Sequence, residues 1–120
     1  PANVTATGRV TDEELAEILC GATASLNPVT EGGGSNLKVI EAMAAGLPVV
    51  TTAVGGRGVP RDLLAVTSVR GLGHTLDQVL SNPEATRDRV ERARSWVTES
   101  LDWTVVMQQF VEAVEERIWT

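Results

Sequence analysis

The residues whose types and spacing suggest chemistry stand in one run, Glu31-Gly32-Gly33-Gly34-Ser35-Asn36, which leads into an apolar-patterned stretch carrying Lys38 and Glu41. The start of a helix presents unpaired N–H groups and the positive end of its dipole. Three glycines ahead of it let the backbone approach an anion closely. Together these features make a site for the phosphates of a nucleotide-type ligand. The competing reading is a flexible loop that ends in an ordinary Ser cap. The run is not a Walker loop, because the Gly-Lys-Ser/Thr ending is missing, and it does not match the dinucleotide fingerprint. Glu41 falls between the apolar stripe and the polar side of the helix. It is either a solvated carboxylate or an acceptor for ribose hydroxyls. Lys38, the only lysine in the chain, either offsets phosphate charge or is simply exposed.

Other reactive side chains are isolated. Arg57 and Arg61 flank a later glycine-containing loop, where they either approach phosphates or, as the default, are solvated. His74, the only histidine, has no partner motif and reads as a surface residue. Cys20 is the only cysteine and reads as a small core residue. A lone cysteine excludes an internal disulfide and a thiolate metal cluster, and it fits a reducing compartment, so a cytoplasmic location is expected; no metal is expected either, because backbone donors would meet the phosphates. The net charge of −6 argues against a nucleic-acid partner, which needs a basic face. No apolar run approaches the ~20 residues that span a bilayer, and none reads as a signal peptide. The 120 residues make one domain or a piece of one. A strand-like run almost directly after Pro1 favours a piece.

Elements that would position these residues follow from the patterning. Asn3–Gly8 is rich in Val and Thr and reads as a strand. Thr11 with Glu14 forms a capping box, so a helix should start there and end at Gly21. Ala22–Asn27 reads as a second strand, closed by Pro28. A helix is expected over Asn36–Ala45, capped by Ser35, with Leu37, Ile40 and Ala44 as its stripe and Met43 beside it. Gly46 would stop it. Val49–Thr52 and Leu64–Thr67 read as two further strands.

Helices are then expected over Leu72–Leu80, from Pro83 to about Ser100 with Asn82 as cap, and from Trp103 to about Arg117 with Asp102 as cap. The alternation implies an α/β domain: a Rossmann-like parallel sheet of about four strands with helices on both faces. Such sheets bind ligands beyond the carboxyl ends of their strands. The loops after Gly8, Asn27 and Thr52 should therefore share one edge.

The segment from Glu31 to Thr52, EGGGSNLKVIEAMAAGLPVVTT, resembles the signature of GT-B glycosyltransferases of the large retaining, glycogen-synthase-like class (family 4 type, glycosyl transferases group 1). In that class a strand ends in Pro, here Pro28. A glycine-rich loop, a Glu-Ala-Met-Ala-x-Gly-x-Pro-Val-Val segment and a Gly-Gly turn follow, the last here Gly55–Gly56. Gly8-Arg9-Val10, Thr11–Leu15, Asn82-Pro83-Glu84, Ala93-Arg94 and Leu101-Asp102-Trp103 are also similar to that family. The likeness covers nearly the whole chain.

The resemblance implies a partial C-terminal, nucleotide-sugar-binding domain over residues 1–120. Its first two strands, with their phosphate-neutralising Arg and Lys, and the N-terminal acceptor domain are absent. It implies a retaining hexosyltransferase that moves a sugar from a nucleotide-sugar donor to an acceptor. The isolated piece would be inactive. Gly33, Gly34, Ser35, Asn36, Leu37 and Lys38 would hold the donor diphosphate, Glu41 the ribose, and Arg9 and Val10 the base. The family often has two glutamates separated by seven residues. The second matches Glu41, the first falls on Gly33, and Glu31 stands two positions earlier as a candidate contact to the donor sugar.

Alternatives are a nucleotide-sugar epimerase of GT-B architecture and a non-catalytic nucleotide-binding module. In the family's usual strand order the two missing strands lie between Asn3–Gly8 and Ala22–Asn27. A rearranged first strand, a strand exchange or a homodimer is therefore expected of the 120 residues alone.

Overall fold

In the computed structural model, which describes residues 2–32, 37–102, 104, 108 and 111–116, local signals set most helix starts. Thr11 is extended, and its hydroxyl oxygen accepts a hydrogen bond from the Glu14 N–H at 3.1 Å. Helix α1 (Asp12–Gly21) begins directly after it. Three acidic residues in the first turn, Asp12, Glu13 and Glu14, favour the positive end of its dipole. Pro83 stands at the start of α4 (Pro83–Ser100), where a missing N–H costs nothing. Asn82 departs from expectation. Its side chain does not cap α4 but donates to the Gln78 carbonyl at 2.7 Å, closing the end of α3 (Leu72–Ser81) instead.

Three short parallel strands form the sheet: β1 (Ser25–Asn27), β2 (Val49–Thr51) and β3 (Ala65–Val66), in that spatial order. Asn27 is in register with Thr51, and Thr51 with Val66. All three strands therefore end at the same edge. Neighbouring bonds extend the ladder, from Ser25 N–H to the Pro48 carbonyl and from Thr67 N–H to the Thr51 carbonyl, both at 2.9 Å. This is an α/β arrangement with a small parallel sheet between helices.

The strand expected at Asn3–Gly8 does not form. Those residues are exposed, with Val4 at 65%, and carry no regular structure beyond a turn at Asn3. A strand, unlike a helix, has no hydrogen bonds of its own, so an extended segment without a neighbour gains nothing by becoming one. The first segment thus stands outside the sheet in the single chain. The second strand is also shorter than expected. Ala22 is spent on closing α1, its N–H bonding to the Leu19 carbonyl.

Alternation along β2 divides the core. Val49 faces α2 (Leu37–Ala44) and α4, in a cluster with Val39, Ala42, Met43, Leu47 and Ala93. Val50 faces α3, where Val79, Leu72 and Leu76 meet it. Helix α2 buries Val39, Ala42 and Met43; of the expected stripe only Ile40 packs, half-buried, against this core, with Met43 beside it as expected. Leu37 is 56% exposed and Ala44 is exposed, because the face set by Val39 and Met43 meets both sheet and α4 and leaves them on the far side. Cys20 is exposed rather than in the core, and His74 is exposed as expected.

Beyond α4, Asp102 accepts from the Thr104 N–H at 2.9 Å, as a cap would. Thr104, Gln108 and residues 111–116 are helical. Trp103, Val106, Met107, Phe110 and Ile118, the large apolar residues in or next to the expected last helix, lie outside the described residues. Among the described residues, no helix is long and apolar enough to cross a membrane.

Candidate functional site

At the carboxyl edge of the sheet the loops after β1 and β2 are fastened together, and threonines do most of the fastening. Thr51 is fully buried at the end of β2, and its hydroxyl donates to the Asn27 carbonyl at 3.1 Å. Thr52, 6% exposed, donates its hydroxyl to the Val29 carbonyl and accepts from the Gly55 N–H at 3.1 Å. A hydroxyl has one donor and two acceptor positions, so one side chain serves both loops. The turn is tightened by the Gly56 N–H, which bonds to the Thr52 carbonyl at 2.9 Å.

Gly55 has to be glycine for close approach. A Cβ there would sit 2.6 Å from Asn27 Nδ2 and against the Thr51 hydroxyl. Among the described residues, no buried side-chain nitrogen or oxygen lacks a partner.

Above this buried layer lies a second, exposed link. Arg57 donates from Nη2 to the carbonyl of Gly32 at 2.9 Å. Gly32 has φ of 133°, a conformation that other residues rarely adopt. A hollow of about 190 Å³ opens beside this link, lined by Gly56, Arg57, Gly58, Val59, Arg61 and Val66 among others. A larger groove of about 700 Å³ lies beyond β3, against α3 and α4. There Arg92 is engaged by Asp62 at 3.0 Å and Asp88 at 3.1 Å.

The expected site residues divide three ways. Glu31 is exposed in the loop after β1, beside Gly32. Leu37 and Lys38 are exposed in the first turn of α2, and Glu41 is half-buried one turn further on. Glu31 thus stands in the loop that Thr52 and Arg57 join to the loop after β2, and Leu37 and Lys38 begin the next helix in the chain. Gly33, Gly34, Ser35 and Asn36 lie outside the described residues. Arg9 is exposed and Val10 half-buried, both just before α1. Because Asn3–Gly8 is not in the sheet, the loop after Gly8 is not held at the carboxyl edge with the other two. That corrects the expectation of three loops on one edge.

Among the described residues, no group of three or more His, Cys, Asp or Glu is arranged to hold a metal ion. Thr51, Thr52 and Arg57 were not singled out as a network by the sequence. The one hint was a Thr-Thr pair ending a strand just ahead of Gly-Gly.

Known proteins share this sequence pattern. The model of the family described as glycosyl transferases group 1 matches residues 1–82. The chain is 32% identical over 111 residues to a glycogen synthase of Mycobacterium tuberculosis (strain CDC 1551 / Oshkosh), covering 82% of this chain and 25% of that protein. The glycogen synthase of strain ATCC 25618 / H37Rv matches equally, at 32% over 111 residues. The chain is also 31% identical over 116 residues to the MMP alpha-(1->4)-mannosyltransferase of Mycolicibacterium hassiacum, covering 91% of this chain and 28% of that protein. It thus spans about a quarter of the length of the curated relatives it matches. No solved structure matches.

Proposed function

The chain belongs to the glycosyl transferases group 1 family, and from that premise we propose that it is the C-terminal, donor-binding part of a retaining GT-B glycosyltransferase of the family 4 type. The whole enzyme moves a hexose from a nucleotide-sugar donor to an acceptor. The observation that carries this reading is the strand, glycine loop and helix unit at the carboxyl edge of a parallel sheet, with the loop after β2 fastened beside it by Thr52. Ligands of open α/β sheets bind at that edge. The printed names of the relatives, a glycogen synthase and a mannosyltransferase, support sugar transfer as the chemistry.

In this reading the backbone amides of Gly33, Gly34, Ser35, Asn36 and Leu37 hold the donor diphosphate, with Lys38 adding positive charge. Amides and helix dipole aimed at the leaving diphosphate stabilise the charge that develops on it as the sugar departs. Backbone donors and cations neutralise that charge, so the proposal needs no metal ion. Glu41 accepts from the ribose hydroxyls, Glu31 contacts the donor sugar, and Arg9 and Val10 meet the base in the whole protein. The isolated 120 residues do not turn donor over. The single cysteine and the nucleotide-sugar donor fit a cytoplasmic enzyme.

Titration of the full-length protein with nucleoside diphosphates tests the donor role, and absence of binding would sink it. Glu41→Ala should weaken that binding by roughly ten- to a hundred-fold, the equivalent of about 1.5–3 kcal/mol for hydrogen bonds to a charged group. An unchanged affinity removes Glu41 from the ribose.

A further inference from the structure

Arginines gather at the outer side of the sheet. The groove of about 700 Å³ beyond β3 is lined by Arg61, Arg89 and Arg92 together with Asp62, and its size suits a small organic ligand. Arg89 and Arg92 stand three residues apart on α4, so they share a face of that helix. Arg61 comes from the short helical turn ahead of β3, and Asp62 beside it ties that turn to Arg92 at 3.0 Å. The three guanidiniums are not equivalent. Arg92 is engaged twice, by Asp62 and by Asp88 at 3.1 Å. Among the described residues, neither Arg61 nor Arg89 has an ion pair or a side-chain hydrogen bond. Arg89 is nonetheless half-buried. An arriving anion offsets the solvation that such an unpaired charge has lost.

We propose that this groove is a second ligand site, which takes a small phosphate monoester with its phosphate held between Arg61 and Arg89. A monoester presents three strong acceptor oxygens, and planar guanidinium forks match them. Thr75 and Gln78 line the groove from α3 and supply a hydroxyl and an amide for the group that carries the phosphate. The Thr67 N–H bonds back to the Thr51 carbonyl, so strand alternation turns the N–H of Val66 away from β2, toward the groove. The Asp62–Arg92 pair holds Arg61 in place without consuming its charge. Over a chain of net charge −6, two uncompensated arginines at one groove make a local field that favours an anion. An added peptide strand fits less well, because β3 offers an edge of only two residues, Ala65 and Val66. The site does not depend on the donor-site reading.

The test is calorimetric titration of the full-length protein with glycerol 3-phosphate, inorganic phosphate and glycerol, each with and without a nucleoside diphosphate. Glycerol 3-phosphate should bind more tightly than inorganic phosphate, and glycerol should not bind. Arg89→Gln should weaken binding of the monoester by roughly ten-fold or more, and Arg61→Gln should do the same, since each removes charge-assisted hydrogen bonds. Affinity for the nucleoside diphosphate should stay within about two-fold in both variants. Arg89→Lys should recover part of the loss, because it restores charge without the fork. Arg61→Gln serves alone if Arg89→Gln does not fold.

No binding of glycerol 3-phosphate at millimolar concentration would overturn the proposal, as would an affinity unchanged by Arg89→Gln or Arg61→Gln. Inorganic phosphate or glycerol binding as tightly as the ester would overturn it too. Displacement of the ester by the nucleoside diphosphate would put both at the donor edge and remove the second site. If the diphosphate does not bind at all, the donor-site reading falls, and the ester titrations still decide this proposal.

Discussion

Residues 2–21 and residues 39–97 are built from similar materials and reach opposite outcomes. Val4-Thr5-Ala6-Thr7 and Val49-Val50-Thr51-Thr52 are both short runs of β-branched residues. The second is a buried central strand with Val50 and Thr51 at 0% exposure, and the first is an exposed segment outside the sheet. The helices show the same division. Helix α2 buries three residues, whereas α1 has a well-formed cap and buries none, with Ile18 at 46% exposure.

The difference separates what a segment does alone from what needs a neighbour. A helix makes its hydrogen bonds internally and its cap locally, so α1 forms with only Leu19 packed, half-buried, against the core. A strand needs a partner on at least one side, and β1 presents its free edge, with Leu26 half exposed, where one would lie.

Three substitutions would break or sharpen this comparison. The largest effect is expected from Met43→Ala. Met43 is 1% exposed and joins α2 to both β2 and α4, so its loss should cost about 2–5 kcal/mol in urea unfolding. A cost under about 1 kcal/mol would mean that α2 is not packed against β2 and α4 as one core.

Gly55→Ala should come next, at roughly 1–3 kcal/mol, because the added Cβ collides with Asn27 and Thr51. It should also free the loops after β1 and β2, seen as faster amide exchange at Gly55 and Gly56. Unchanged exchange would show that the turn is held by something other than Thr52.

Ile18→Ala should be the smallest, within about 0.5 kcal/mol in the 120-residue chain, as for an exposed position. In a full-length protein whose further sheet strands cover α1, the same change should cost about 2 kcal/mol or more. Equal small costs at both lengths would refute that part of the proposal.

The site shows the same split between local and distant signals. The glycine run before α2, the carboxylate at Glu41 and the Gly-Gly turn were legible because they lie close together in the chain. The bonds that join them were not. Thr52 meets Val29 and Arg57 meets Gly32 across more than twenty residues, and nothing in either segment specifies its partner. The buried face of α2 was misread for a related reason. Leu37, Ile40 and Ala44 are as well spaced as Val39, Ala42 and Met43, and only the position of the sheet and α4 chooses between them.

By itself, the sequence determined where helices begin and end, the order of the elements, the absence of an internal disulfide and the likeness to one enzyme family. Capping boxes, prolines and glycines act on their own few residues. The tertiary structure alone decided which Val-rich runs became strands, which face of α2 was buried, and that the loop after β2 grips the glycine loop through Thr52 and Arg57. Those outcomes depend on hydrogen bonds and burial between segments far apart in the chain, and a segment forms them only when its partner is present.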